Sequence, residues 1–328
     1  MSTNLETMDK RQVSRFFRSF ELTTKYWEFV GSDKPLFSQL SQLIKGGLEY
    51  QFLPYYFSDV PNWRLSLRKL RSKERMAPNY VMTGPCKSGS SDLVSHLLFH
   101  PNVMPPLAKE PKMHKVKNWR MGYPTVQEQQ ELEESVGGPV RCGYLDPELF
   151  RLDVMQRLYE LNPNCKVIIT LRDPVDRAYS FWKWELFLGV KTLARSKNRE
   201  YFNNYSDYIS RALEVFPSMP MDSLTGPQVL ANGIYYQAVE HWIKRFGREN
   251  VMVLDVAEYF KNRQPVFERI QEFLEIPVIG IPELNAKINE NPTKMPPADE
   301  ETKAKLAEFY RPFNDKLFAL LDQEFDWQ

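Results

Sequence analysis

NYVMTGPCKSGSSDLVSHLLFH, residues 79–100, passes from an apolar run through a loop of small and polar residues into a helical pattern. Tyr80, Val81 and Met82 read as a buried strand, and Leu93, Val94, Leu97 and Leu98 fall on one face of a helix. A loop that leads into a helix start presents free backbone N–H groups and the positive end of the helix dipole, so it attracts anions. Gly89 lets the backbone approach an oxyanion, Ser88, Ser90 and Ser91 carry hydroxyls, and Lys87 supplies a point charge suited to phosphate. Asp92 fits the first turn, where a carboxylate complements the dipole. The same residues also describe a serine-rich turn in which Ser90 or Ser91 caps the helix. Because the lysine precedes the glycine, the spacing is not G-x-x-x-x-G-K-[ST], which counts against a kinase or NTPase.

Outward from this stretch the pattern alternates. KVIITL (166–171) is a second strand, followed by RDP and a helix through FWKWELF. VMVLDV (251–256) is a third, followed by a helix through VFERIQEFL. ETKAKLAEFYRPFNDKLFALLDQEF (301–325) reads as a closing helix, kinked or broken at Pro312. Strands alternating with helices predict an α/β fold, a parallel sheet flanked by helices, with ligands bound beyond the carboxyl ends of the strands. Residues 76–328 are expected to form this domain, and residues 1–75 a helical N-terminal extension with short periodic pieces such as FSQLSQLIKGGLEY. WRLSLRKLRSKERMAP (63–78) carries six Lys/Arg against one Glu, either a solvated helix face or a basic rim for an anionic partner.

The 43 basic and 42 acidic residues of the 328 leave a formal charge of +1, without the bulk charge of a nucleic-acid binder. No nucleic-acid partner and no metal are expected. The first residues hold no apolar run of signal-peptide length, and no stretch is long and apolar enough to span a membrane. Cys86, Cys142 and Cys165, an odd count without metal-ligand spacing, are expected as free thiols, which points to the cytosol.

In LRDPVDRAYSFW (171–182), Arg172 stands at a strand end and Ser180 eight residues beyond it, on the helix. An arginine and a helix-borne hydroxyl can clamp a second phosphate, although Arg172 could equally bridge to Asp173 or Asp176. The two loops together resemble the sulfotransferases that use 3′-phosphoadenosine-5′-phosphosulfate (PAPS). The resemblance runs over about residues 79–328, through KEP at 109–111, Gly233-Ile234-Tyr235 with Trp242, and EFYRPFNDKLFALLDQEFDW at 308–327. The last stretch and KSGSSDL are most similar to carbohydrate sulfotransferases of the N-acetylgalactosamine-4-sulfate 6-O-sulfotransferase type. It implies a P-loop-like sulfotransferase fold and PAPS as co-substrate. Lys87 would then contact the 5′-phosphosulfate, Ser88, Gly89, Ser90, Ser91 and Asp92 would form its cradle, and Arg172 with Ser180 would hold the 3′-phosphate. Lys294 falls where a lysine-bearing loop closes over the nucleotide in relatives.

For the acceptor, the resemblance implies Glu110 as the base, with His114 the other candidate. KEPKMHK departs from the relatives' pattern by placing Lys112 where they carry a histidine. The bland alternative for Glu110 is a surface carboxylate among Lys109, Lys112, Lys115 and Lys117. GYLDPELF (143–150) departs further, with Tyr144 and Leu145 where relatives have glutamate and lysine, leaving Asp146 to face the acceptor. Trp119, Trp182, Trp184, Tyr235 and Tyr236 are candidates for an acceptor pocket or for the core, and His96, His100 and His241 for structural roles. The expected activity is O-sulfation of a small-molecule or carbohydrate acceptor. N-sulfation of an amine or guanidine, or a chain that binds nucleotide without turnover, are the alternatives. Enzymes of the resembled type work in the Golgi behind an anchor, so a Golgi lumenal placement stands beside the cytosolic one.

Overall fold

The computed structural model describes residues 60–327 except 71–72, 114, 148, 193–203, 218–226 and 281–294, and only the backbone of 185–192 and 227–228. The expected helical pieces before residue 60 therefore lie outside the described residues. In chain order the elements are α1 (Asn62–Leu70), β1 (Tyr80–Thr83), α2 (Ser90–Leu97), α3 (Val126–Val136), β2 (Gly143–Asp146), α4 (Leu152–Leu161) and β3 (Lys166–Leu171). There follow α5 (Pro174–Thr192), α6 (Tyr205–Val215), α7 (Pro227–Ala231), α8 (Tyr236–Phe246), β4 (Val251–Asp255), α9 (Val256–Lys261), α10 (Arg263–Phe273) and α11 (Glu300–Leu321).

The strands form one parallel sheet in the order β2-β1-β3-β4, with Tyr80 opposite Gly143 on one side and Lys166 on the other. Side chains alternate across it, as the strand period requires. Val81, Val167 and Ile169 enter one core with α4, α8 and the end of α11. Tyr80, Met82 and Ile168 enter the opposite core with α2, α9 and α10. A third cluster joins α5, α6 and the first half of α11 through Phe181, Trp182, Tyr208, Leu306 and Tyr310. The connection from β1 leads to β2 on one side while β3 pairs on the other, so a crevice opens at the carboxyl ends of β1 and β3.

The three expected strands are present, and the order adds a fourth. β2 comprises GYLD, only four residues including a glycine and an aspartate, and its strand character comes from pairing with β1 rather than from propensity. The closing helix is not broken at Pro312. It runs through as one 22-residue element, because Pro312 and Glu308, whose carbonyl loses its donor, are both exposed, while Leu306, Tyr310 and Leu317 anchor the turns on either side. α1 lays Leu65 into the protein, and Arg68 donates to the carbonyls of Met121 and Tyr123 at 2.6 and 3.1 Å. Part of its basic face is thus spent on fastening the helix.

Candidate active site

The β1–α2 loop occupies the switch point of the sheet. Gly89 is the N-cap of α2, at φ 75°, and no side chain caps the first turn. Neither Ser90 nor Ser91 takes the capping role; both are inside the helix. The start of α2 thus has the form of an anion seat. A Cβ at Gly89 would lie 2.4 Å from Val256 Cγ2, so both space and φ demand glycine. Lys87 also adopts a positive φ of 75°, a strained value for a lysine that turns the loop back on itself.

Lys87 is half-buried, with Nζ 4.3 Å from the centre of the Trp184 ring on α5. Burial pushes its ammonium below the usual lysine range; the Cys86 thiol opposes this, while Lys109, Arg172 and Lys183 add repulsion. Three further cations therefore lie close enough to act on Lys87. Lys109 is 8% exposed and donates from Nζ to Ser91 Oγ at 2.9 Å, with Glu110 Oε1 at 3.1 Å. It is held there by its own backbone, whose carbonyl accepts from Leu145 N–H at 2.7 Å along the free edge of β2. Sequence reasoning placed Lys109 in the KEP stretch without giving it a role at the donor loop, and passed over Lys183; the local signal for the latter was that Lys183 lies three residues after Ser180, on the same helix face.

The expected cradle separates into two groups. The Ser88 hydroxyl, fully buried, is 3.0 Å from Thr170 Oγ1 and ties the loop to β3. The Asp92 carboxylate is 3% exposed, accepts from Tyr259 O–H at 2.6 Å and lies 3.3 Å from His96 Nδ1 and 3.5 Å from Arg263. Both side chains are committed to holding the loop and the start of α2 in place. Arg172 is one-third exposed, and its 3.4 Å contact with exposed Asp176 is the weak bridge foreseen as the alternative. Ser180 is half-buried, one turn before the Trp184 that carries Lys87. Lys294 and His114 lie outside the described residues.

Glu110 lines a cleft with Pro111, Val116, Trp119, Tyr123 and Leu65. Of the other aromatic candidates, Trp182 and Tyr235 are core residues, 2% and 1% exposed. Trp242 donates to the Leu149 carbonyl at 3.0 Å inside the first core. Asp146 ends β2 opposite Thr83, level with the loop. His96 and His100 are buried and hydrogen-bonded, in keeping with structural roles. No helix among the described residues is long and apolar enough to cross a membrane.

The sulfotransferase domain family matches residues 81–296. Human carbohydrate sulfotransferase 15 is 21% identical, covering 77% of this chain and 55% of its own length. Human heparan sulfate glucosamine 3-O-sulfotransferase 6 is 22% identical, covering 77% of this chain and 74% of its own. The mouse bifunctional heparan sulfate N-deacetylase/N-sulfotransferase 3 is 23% identical, and the alignment spans 31% of it. This chain thus spans about half, or less, of the length of several curated relatives it matches. The crystal structure of a sulfotransferase from Alicyclobacillus acidocaldarius has the same fold, with a TM-score of 0.55 at 21% identity over 76% of this chain and 98% of that one. With two-thirds of its length matched by the domain and the sheet's switch point built as described, the chain belongs to the sulfotransferase family.

Proposed function

We propose that this chain transfers a sulfuryl group from PAPS to an acceptor hydroxyl, releasing the sulfated acceptor and adenosine 3′,5′-bisphosphate. The observation that carries it is the gathering of Lys87, Lys109, Lys183 and Arg172 around a glycine-capped helix start at the switch point. Such a seat suits a ligand with two separated anionic groups. The backbone of Ser88–Ser91, with Lys87 and Lys109, takes the 5′-phosphosulfate. Arg172 and Ser180 take the 3′-phosphate. The acceptor oxygen bonds to sulfur as the bond from sulfur to the 5′-phosphate oxygen breaks. The electron pair stays on that phosphate, where Lys87 offsets the charge, and the hydroxyl proton passes to Glu110.

The absence of a lysine at Leu145 motivates the non-catalytic alternative. Lys109 weakens that case: hydrogen-bonded through its carbonyl to Leu145 itself, it brings an ammonium to the same loop. The acceptor class favoured is a carbohydrate, as named in two of the relatives. N-sulfation is the competing chemistry, named in a third. The cytosolic placement expected from the sequence draws no support from carbohydrate sulfotransferases, a Golgi type, and a lumenal enzyme fits a carbohydrate acceptor.

Calorimetric titration with adenosine 3′,5′-bisphosphate, beside 5′-AMP, tests the donor site. Tight bisphosphate and weak AMP binding support it; equal or absent binding overturns it. Transfer of labelled sulfuryl to a panel of sugars and amino sugars then separates O- from N-sulfation, and no transfer to any of them favours the scaffold reading.

A further inference from the structure

Arg172 is one of two residues that turn the chain from β3 into α5, and among the described residues its side chain makes only a long contact to an exposed aspartate. A side chain so loosely held takes its aim from its backbone. That backbone is pinned from another part of the molecule: Tyr235 O–H donates to the Arg172 carbonyl at 3.0 Å, across 63 residues of sequence. Tyr235 is 1% exposed at the start of α8 and packs edge-on against Trp327, ring centres 5.9 Å apart.

The surroundings lock this tyrosine in turn. Gly233, two residues earlier, lies so close to Tyr310 of α11 that a Cβ there would be 2.5 Å from the ring. The Tyr310 hydroxyl donates to the carbonyls of Val229 and Leu230 at 3.3 and 3.2 Å. Buried Arg177 of α5 also donates to Val229 O. Segments far apart in sequence thus meet at the β3–α5 corner and leave it little freedom.

The geometry points to Tyr235 as a positioning residue that aims Arg172 at the 3′-phosphate, and so sets the preference for a 3′-phosphorylated nucleotide. This rests on the role given to Arg172 above. Tyr235→Phe removes the hydroxyl and keeps the ring. Its bisphosphate affinity, measured by calorimetry on the full chain, is expected to fall about 5–10-fold, the effect of one buried hydrogen bond, with 5′-AMP affinity within about twofold of wild type. A merely structural tyrosine would weaken both ligands alike, and that result, or no change in either, overturns the proposal. Arg172→Ala separates the two readings. If it abolishes discrimination while Tyr235→Phe does not alter it, Arg172 keeps its role and Tyr235 loses the one assigned here. If neither alters discrimination, the Arg172 reading itself falls. Should Tyr235→Phe fold poorly, Trp327→Leu loosens the same ring from outside, and the same narrowing of discrimination is required of it.

Discussion

Replacing Lys109 with methionine removes one ammonium while keeping most of the side chain's length and apolar stem. In the structure Nζ is 2.9 Å from Ser91 Oγ. An anion accepting hydrogen bonds from the first turn of α2 would therefore lie roughly 5 Å from that nitrogen. At this distance and an effective dielectric of about 20, a unit charge pair is worth about 3 kcal/mol. Glu110, 3.1 Å from the same nitrogen, offsets part of this. A net loss of about 1.5–2.5 kcal/mol remains, or about 10- to 60-fold weaker binding. Since the 5′-phosphate is common to both ligands, the bisphosphate and 5′-AMP should weaken together, unlike the selective loss expected of Arg172→Ala. Calorimetry reads the affinities and a thermal melt reports on the fold. The melting midpoint should stay within about 2 °C of wild type or rise, because the Glu110 left behind is partly solvated and a desolvated ammonium has gone. A folded Lys109→Met protein that binds the bisphosphate within twofold of wild type would refute the placement of this lysine at the donor.

Lys87→Met should weaken bisphosphate binding at least about 100-fold, as loss of a buried charge partner does. The same change should raise the melting midpoint at neutral pH. Lys87's folded value is held below the ordinary 10.5, so the unfolded chain binds more protons between the two, and wild-type stability should climb as pH rises through that window. A pH series of melts on both proteins checks the sign. Glu110→Gln is expected to lower turnover about 10²–10⁴-fold with bisphosphate affinity kept or raised, since the carboxylate that offsets Lys109 is gone; unaltered transfer would remove Glu110 as the base. Gly89→Ala forces a side chain into left-handed backbone against Val256. It should cost about 1–2 kcal/mol from conformation alone, lowering the melting midpoint, and should impair donor binding as well.

How much of this could be read along the chain depends on the range of the interactions concerned. KVIITL emerged as β3 with both boundaries intact, because five consecutive apolar or β-branched residues, Val167–Leu171, between Lys166 and Arg172 suit a strand buried on both faces. GYLD carried no such signal and became β2 through its partner. Pro312 was read as a possible break because the local rule is a cost of about 3 kcal/mol. Burial of Tyr310 and Leu317 on either side outweighs it. In the loop, the serines expected to act as caps or cradle were given equivalent roles, yet Ser88 is committed to Thr170, 82 residues away, a partner that no local pattern announces.

By itself the sequence determined the α/β class, the strand–loop–helix proposed here as the anion seat, and the position of Arg172 at a strand end. These follow from side-chain periodicity and from glycine and proline backbone preferences, which act within a few residues. Only the tertiary structure decided which charges share the site. Lys109 reaches Ser91 from a backbone hydrogen-bonded to Leu145 of β2, Lys183 acts on Lys87 from α5, and Asp92 is drawn away by Tyr259. Electrostatic fields act through space, so their composition depends on strand order and helix placement, neither of which is written in any single stretch of the chain.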